Sequence, residues 1–234
     1  MSDQSIPAAP TRLDPWPPTW EPAAVVFDCD GMLVDTEAQW IRVQDRYLAA
    51  HNTAFDAATR REITGRSASI VIGAIARQVG KDPQEVLDEL VAEHRRDLEG
   101  KLDPMPGALE LLREIAERKP VAVASNSPRE MLDRKIDALG LRDVVDLSIA
   151  EEDVAHPKPA PDMYREGAIR LGADPADALA FEDSETGAQA ALSAGLQLIA
   201  VPSIPDQNPQ AHCTLASLED ETLWVWVRTW NRTR

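Results

Sequence analysis

From residue 23 almost to the end of the chain, short apolar runs alternate with longer stretches whose apolar positions recur every three to four residues. Runs of four to six mostly apolar residues read as strands buried on both faces, the pattern of a parallel sheet. They fall at 24–28 (AVVFD), 120–125 (PVAVAS), 144–149 (VVDLSI), 178–182 (ALAFE) and 197–201 (QLIAV). Between them, 108–118 sets Leu109, Leu112 and Ile115 on one helical face, and 129–139 does the same with Leu132, Ile136 and Leu139 before Gly140 as a stop. Segments 161–171 and 187–194 read as further crossover helices. Strands alternating with helices predict an α/β fold with a Rossmann-like parallel sheet core.

One gap breaks the alternation. The first strand ends near Asp28 and the second begins near Pro120, and the chain between them is helical by period over 38–50, 56–64, 68–79 and 83–98. Residues 37–100 are therefore expected to form a small helical domain inserted into a core made of 23–36 and 101–234. Asp103, Pro104, Pro106 and Gly107 mark the return. Residues 1–22 carry six prolines and predict an extended tail, with Trp16 and Trp20 placed to pin it to the surface. A last helix is expected over 215–230, burying Leu218, Leu223 and Val227.

Charge narrows the function. The chain has 24 basic and 40 acidic residues, a formal net charge of −16, which repels nucleic acid and anionic membranes. Two cysteines, Cys29 and Cys213, make no disulfide framework and no CxxC metal site. The start lacks the basic and apolar pattern of a signal peptide, and no apolar run approaches the ~18 residues of a membrane span. A cytoplasmic protein, monomeric by default, is the expectation.

In open parallel sheets the loops after the strands line the ligand crevice, so polar residues immediately after apolar runs carry the chemical information. Strand one ends in Asp28, with Asp30 two residues on. Strand two ends in Ser125 and Asn126, the loop after strand three carries Lys158, and strand four ends in Glu182 and Asp183. Four acids at one edge would repel strongly without a cation among them. Carboxylate oxygens with no histidine or cysteine indicate Mg²⁺. Two carboxylates spaced like Asp28 and Asp30 suit a division between nucleophile and general acid/base. Mg²⁺, Lys158, the Ser125 hydroxyl and backbone amides could neutralise a phosphoryl group in transfer.

The segments VVFDCDGMLVDTE, VAVASNS, KPAPDMY and FEDSETG resemble the four motifs of haloacid dehalogenase-like phosphatases, in the β-phosphoglucomutase-like subgroup with a small helical cap after motif one. The resemblance spans residues 24 to about 201. It implies Asp28 as nucleophile and metal ligand, Asp30 as acid/base with its backbone carbonyl on the metal, and Asp183 as the principal further carboxylate. Glu182 is implied as another ligand or as a group behind the ligands, and Ser125, Asn126 and Lys158 as phosphate contacts. In the cap, Gly65 and Arg66 are implied as the substrate-reading loop, with Glu37 and Trp40 within reach. The implied activity is Mg²⁺-dependent hydrolysis of a small phosphorylated metabolite, a sugar phosphate first. A phosphosugar mutase is the alternative. Related mutases carry a histidine ten positions after the acid/base aspartate and an arginine three beyond the cap glycine, where this chain has Trp40 and Ala68. Dehalogenases lack the second aspartate and need no metal.

Overall fold

The computed structural model describes residues 11–63, 68–97, 102–203 and 207–232. In chain order its elements are β1 (Ala24–Asp28), α1 (Thr36–Ala50), α2 (Ala57–Ile63), α3 (Ala68–Val79), α4 (Pro83–Asp97), α5 (Ala108–Ala116), β2 (Val121–Ala124) and α6 (Arg129–Ala138). These are followed by β3 (Leu147–Ile149), α7 (Asp162–Arg170), β4 (Ala178–Glu182), α8 (Glu185–Ala194), β5 (Gln197–Ala200), β6 (Cys213–Thr214) and α9 (Glu221–Thr229). Two compact units emerge, one of Met1–Asp35 with Pro104–Arg234 and one of Thr36–Asp103.

The first unit is an α/β fold around a six-stranded parallel sheet in the order β3-β2-β1-β4-β5-β6. Every residue of β1, β2, β4 and β5 is buried, which is why these strands read as unbroken apolar runs. Val26, Ala122, Ala124, Ile149, Ala180 and Leu198 pack with Met163, Tyr164 and Ala168 of α7 and Ala188 and Ala191 of α8 in one apolar cluster. Phe27 and Phe181, paired in register across β1 and β4, stack with ring centroids 4.7 Å apart. Because β1 lies between β2 and β4, the chain crosses the sheet in opposite directions from it, and the C-terminal ends of these three strands open on one crevice.

Several boundaries differ from the sequence expectation. The third strand keeps only Leu147–Ile149, because the Val144 and Val145 amides bond back to the Leu141 carbonyl in a turn. The last helix starts at Glu221, not 215, where Asp220 caps it by accepting the Leu223 amide at 2.9 Å. The two-residue strand β6 is too short for periodicity to register.

Described tail residues lie against the core. Trp16 meets Trp226 edge to face at 5.4 Å, and the Trp226 indole donates to the Trp20 carbonyl at 2.9 Å. Arg12 binds the Gln197 side chain through its backbone amide at 2.7 Å, and Leu13 is buried.

In the second unit Val43, Tyr47 and Leu48 of α1, Ile75 and Ala76 of α3, and Val86 and Leu90 of α4 form an apolar core. Trp40 stacks on His94 at 4.5 Å there. No described helix is long and apolar enough to cross a membrane.

Candidate active site

Strand ends supply the chemistry. β1 closes on Asp28 and the chain turns at once, with the Cys29 carbonyl accepting the Leu33 and Val34 amides at 2.9 and 3.0 Å. Gly31 sits in that turn at φ +81°, where an L side chain is strained. A Cβ on Gly31 would lie 2.7 Å from both the Asp183 Cγ and the Ser203 Oγ, so the turn closes directly over Asp183.

Asp28, Glu182 and Asp183 present carboxylate oxygens within 4.8 Å of one another, all buried. Lys158 is the one ammonium bonded to this set among the described residues. Its Nζ donates to Asp28 Oδ1, to Glu182 Oε1 at 2.7 Å, to the Ala124 carbonyl at 3.1 Å and to the Tyr164 hydroxyl at 3.1 Å. Burial alone would lower the lysine, but Asp28 and Glu182 outweigh it and raise it above the ordinary lysine range.

The three carboxylates are not equivalent. Glu182 accepts five hydrogen bonds: Lys158 and Tyr164 at 2.7 Å on Oε1, and the Asp183 amide, the Ser184 amide and the Ser184 hydroxyl at 3.0–3.1 Å on Oε2. Burial would raise its carboxyl, yet the Lys158 charge and these donors hold it below the ordinary range. Both oxygens of Glu182 are engaged, and one of them ties Lys158 and Tyr164 together. Asp183 accepts the Ser203 hydroxyl and is otherwise underpaired, and burial pushes its carboxyl up to about 7. Asp28 is likewise raised well above its ordinary value by burial, with Glu182 and Asp183 adding to the rise and Lys158 opposing it. Lys158 bonds only Oδ1, which leaves Asp28 Oδ2 without a donor among the described residues.

When all three are ionised, the buried carboxylates exceed the one ammonium by two negative charges. A hard divalent cation fits this donor set of oxygens, and the raised carboxyls of Asp28 and Asp183 mark where the positive charge is wanting.

Asp30 stands apart from the acid cluster. Its Oδ1 accepts Lys135 Nζ at 2.5 Å, and its Oδ2 accepts the Ser125 and Ser127 hydroxyls at 2.8 and 3.1 Å. The expectation of four clustered acids is therefore corrected to three, and any part of Asp30 on a metal falls to its backbone carbonyl. Ser125, expected to face a phosphate, here spends its hydroxyl on Asp30. Asn126 brackets Lys158, its amide oxygen accepting the Lys158 backbone N–H at 2.9 Å and its amide nitrogen donating to the Lys158 carbonyl at 3.0 Å. That side chain positions the lysine loop. Gly65 and Arg66 lie outside the described residues, as do the side-chain surroundings of Glu37. Trp40 belongs to the helical unit.

Ser127, Lys135, Tyr164 and Ser203 escaped the sequence reading. Ser203 follows the fifth apolar run and was open to the same rule that found the others. Lys135 carried a fainter mark, a charged residue three after Leu132 and beside Ile136 on an otherwise apolar helix face.

Residues 22–195 match the family model described as haloacid dehalogenase-like hydrolase. Hexitol phosphatase B of Escherichia coli O157:H7 is 32% identical over 210 residues, covering 85% of this chain and 94% of that one. The bifunctional riboflavin kinase/FMN phosphatase of Arabidopsis thaliana is 32% identical over 212 residues, covering 87% of this chain, which spans only 55% of that protein. Among solved structures, a HAD family hydrolase from Deinococcus radiodurans R1, with bound phosphate and sodium, superposes with TM-score 0.68 at 30% identity over 84% of this chain and 91% of that one.

Proposed function

The chain belongs to the haloacid dehalogenase-like hydrolase family, and from that premise we propose that it is a Mg²⁺-dependent phosphatase of small phosphomonoesters, sugar phosphates first, working through a phosphorylated Asp28. The observation that carries this reading is the asymmetry of Asp28: one oxygen held by Lys158, the other without a donor among the described residues, in an oxygen-only cluster. Mg²⁺ would be held by the carboxylates of Asp28 and Asp183 and the Asp30 backbone carbonyl, and when bound it supplies positive charge to the oxygens of the phosphoryl group.

Lys158 orients Asp28 and offsets its charge, and Glu182 and Tyr164 keep the ammonium in place. Asp28 Oδ2 attacks phosphorus in line, the bond from phosphorus to the alcohol oxygen breaks, and Asp30 gives that oxygen its proton. Water then attacks the aspartyl-phosphate, Asp30 takes the water's proton, and the Asp28–phosphorus bond breaks to release inorganic phosphate. The sugar-phosphate preference draws on the hexitol phosphatase relative.

Incubation with hexose and hexitol phosphates, phosphoglycolate, FMN and nucleotides, following both free phosphate and isomer formation, tests the reading. Phosphate release by the wild type that ceases with EDTA and in Asp28→Asn supports it. Isomer without phosphate makes the protein a mutase. Full release by Asp28→Asn overturns the nucleophile.

A further inference from the structure

Lys135 is 2% exposed in the middle of α6, on the face that also buries Leu132 and Ile136. An ammonium so deep in an apolar face is costly unless it is paired and hydrogen-bonded. Its partners are Asp30 Oδ1 and the Ser127 hydroxyl, the latter at 2.8 Å. Ser127 in turn donates to Asp30 Oδ2, and its backbone amide donates to Ser125 Oγ at 3.0 Å, which also donates to Oδ2. Lysine, two serines and carboxylate form a closed ring that holds both oxygens of Asp30 from one side. Lys158 and its partners form a separate set on Asp28. The site thus contains two buried lysines, each attached to a different aspartate of the DxD pair.

We infer that Lys135 is a positioning residue for proton transfer, which with Ser127 sets the direction of the Asp30 carboxyl relative to the departing oxygen. This rests on the reading of Asp30 as the acid/base. Lys158 fixes the group that attacks phosphorus, and Lys135 fixes the group that protonates what leaves. No role in phosphate binding is assigned to Lys135, whose ammonium is taken up by Asp30 and Ser127.

The consequence depends on the leaving group. An aryl phosphate with a good leaving group departs with little help from a proton, whereas a poor one needs the proton delivered in flight, and a positioned acid contributes roughly 10²–10⁴-fold to such a step. Lys135→Met keeps an unbranched stem of nearly the same length and removes the charge. The test is a Brønsted series of kcat/KM on aryl phosphates from p-nitrophenyl to p-methoxyphenyl, with hexitol phosphate as the alkyl member. This parameter reports the phosphorylation of Asp28 and is free of the later hydrolysis step. Lys135→Met is expected to cleave p-nitrophenyl phosphate within about threefold of wild type and to lose about tenfold or more at the poor-leaving-group end, steepening the slope. Ser127→Ala should steepen it less.

A uniform loss across the series, or none, overturns the proposal, because a merely structural lysine lowers the active fraction for all substrates alike. Asp30→Asn separates the positioning role of Lys135 from the acid/base role of Asp30. If that variant steepens the slope and Lys135→Met does not, the positioning role fails and the acid/base role stands. If neither does, the acid/base reading of Asp30 fails as well.

Discussion

Replacing Asp183 by asparagine, with divalent cations chelated, is expected to stabilise the fold at pH 8 and to leave it unchanged near pH 4. In the fold this carboxyl titrates at about 7, raised chiefly by burial and then by Glu182, against 3.8 for a free aspartate. Between those values the folded chain holds a proton that the unfolded chain has released, so stability falls as pH rises through that window. The full rise amounts to about 4 kcal/mol at pH 8, on the order of 10 °C in Tm for a chain of this size. Asparagine keeps the shape and an acceptor for Ser203 but has nothing to ionise. Mg²⁺ should narrow the gap: bound to the ionised carboxylates at a hundred times its Kd, it would stabilise the wild type by about 2.7 kcal/mol at pH 8. At pH 5 it should do little. The assay is thermal unfolding followed by tryptophan fluorescence, wild type against Asp183→Asn, in EDTA and in Mg²⁺, from pH 4 to 8. The difference between the two proteins cancels the titration of the acidic residues remote from Asp183, leaving Asp28 and Glu182, which share its field. An Asp183→Asn protein no more stable than wild type at pH 8 in EDTA, or one that gains as much from Mg²⁺, would rule out Asp183 as the raised, metal-binding carboxyl.

Further outcomes follow from the same contacts. Lys158→Met strands Asp28 and Glu182 as buried carboxylates, and is expected to cost about 3–5 kcal/mol in urea unfolding. Adding Glu182→Gln should return part of that stability and none of the phosphatase activity. Gly31→Ala meets a left-handed backbone penalty of about 1–2 kcal/mol and a collision with Asp183 and Ser203, so the Mg²⁺-induced rise in Tm should shrink or vanish. An unchanged Mg²⁺ response would show that Asp183 does not hold the metal. Trp16→Ala with Trp20→Ala removes both tail rings facing Trp226; each such pair contributes about 0.5–1.5 kcal/mol, so unfolding should shift to lower urea while kcat/KM stays level.

Within the helical unit, Trp40 and Ala68 stand at the two positions where related mutases carry a histidine and an arginine, and the Trp40 indole is stacked on His94.

The local pattern of the chain was enough to determine which residues stand at the reactive edge. Strands buried on both faces must be apolar throughout, so each run and the polar residue that ends it can be read from the sequence, and in a parallel sheet those ends share one side. That logic alone brought Asp28, Ser125, Lys158, Glu182 and Asp183 to the crevice. Partnership within the crevice was decided only by the tertiary structure, because a hydrogen bond depends on distances between side chains far apart in the chain. Lys158 reaches Asp28 across 130 positions and Lys135 reaches Asp30 across 105. The same packing satisfied Glu182 with five donors and left Asp183 with one hydroxyl, so two adjacent acids that look alike in the sequence titrate in opposite directions. Composition set the edge's charge; the arrangement of donors around each oxygen set which acid is free to act.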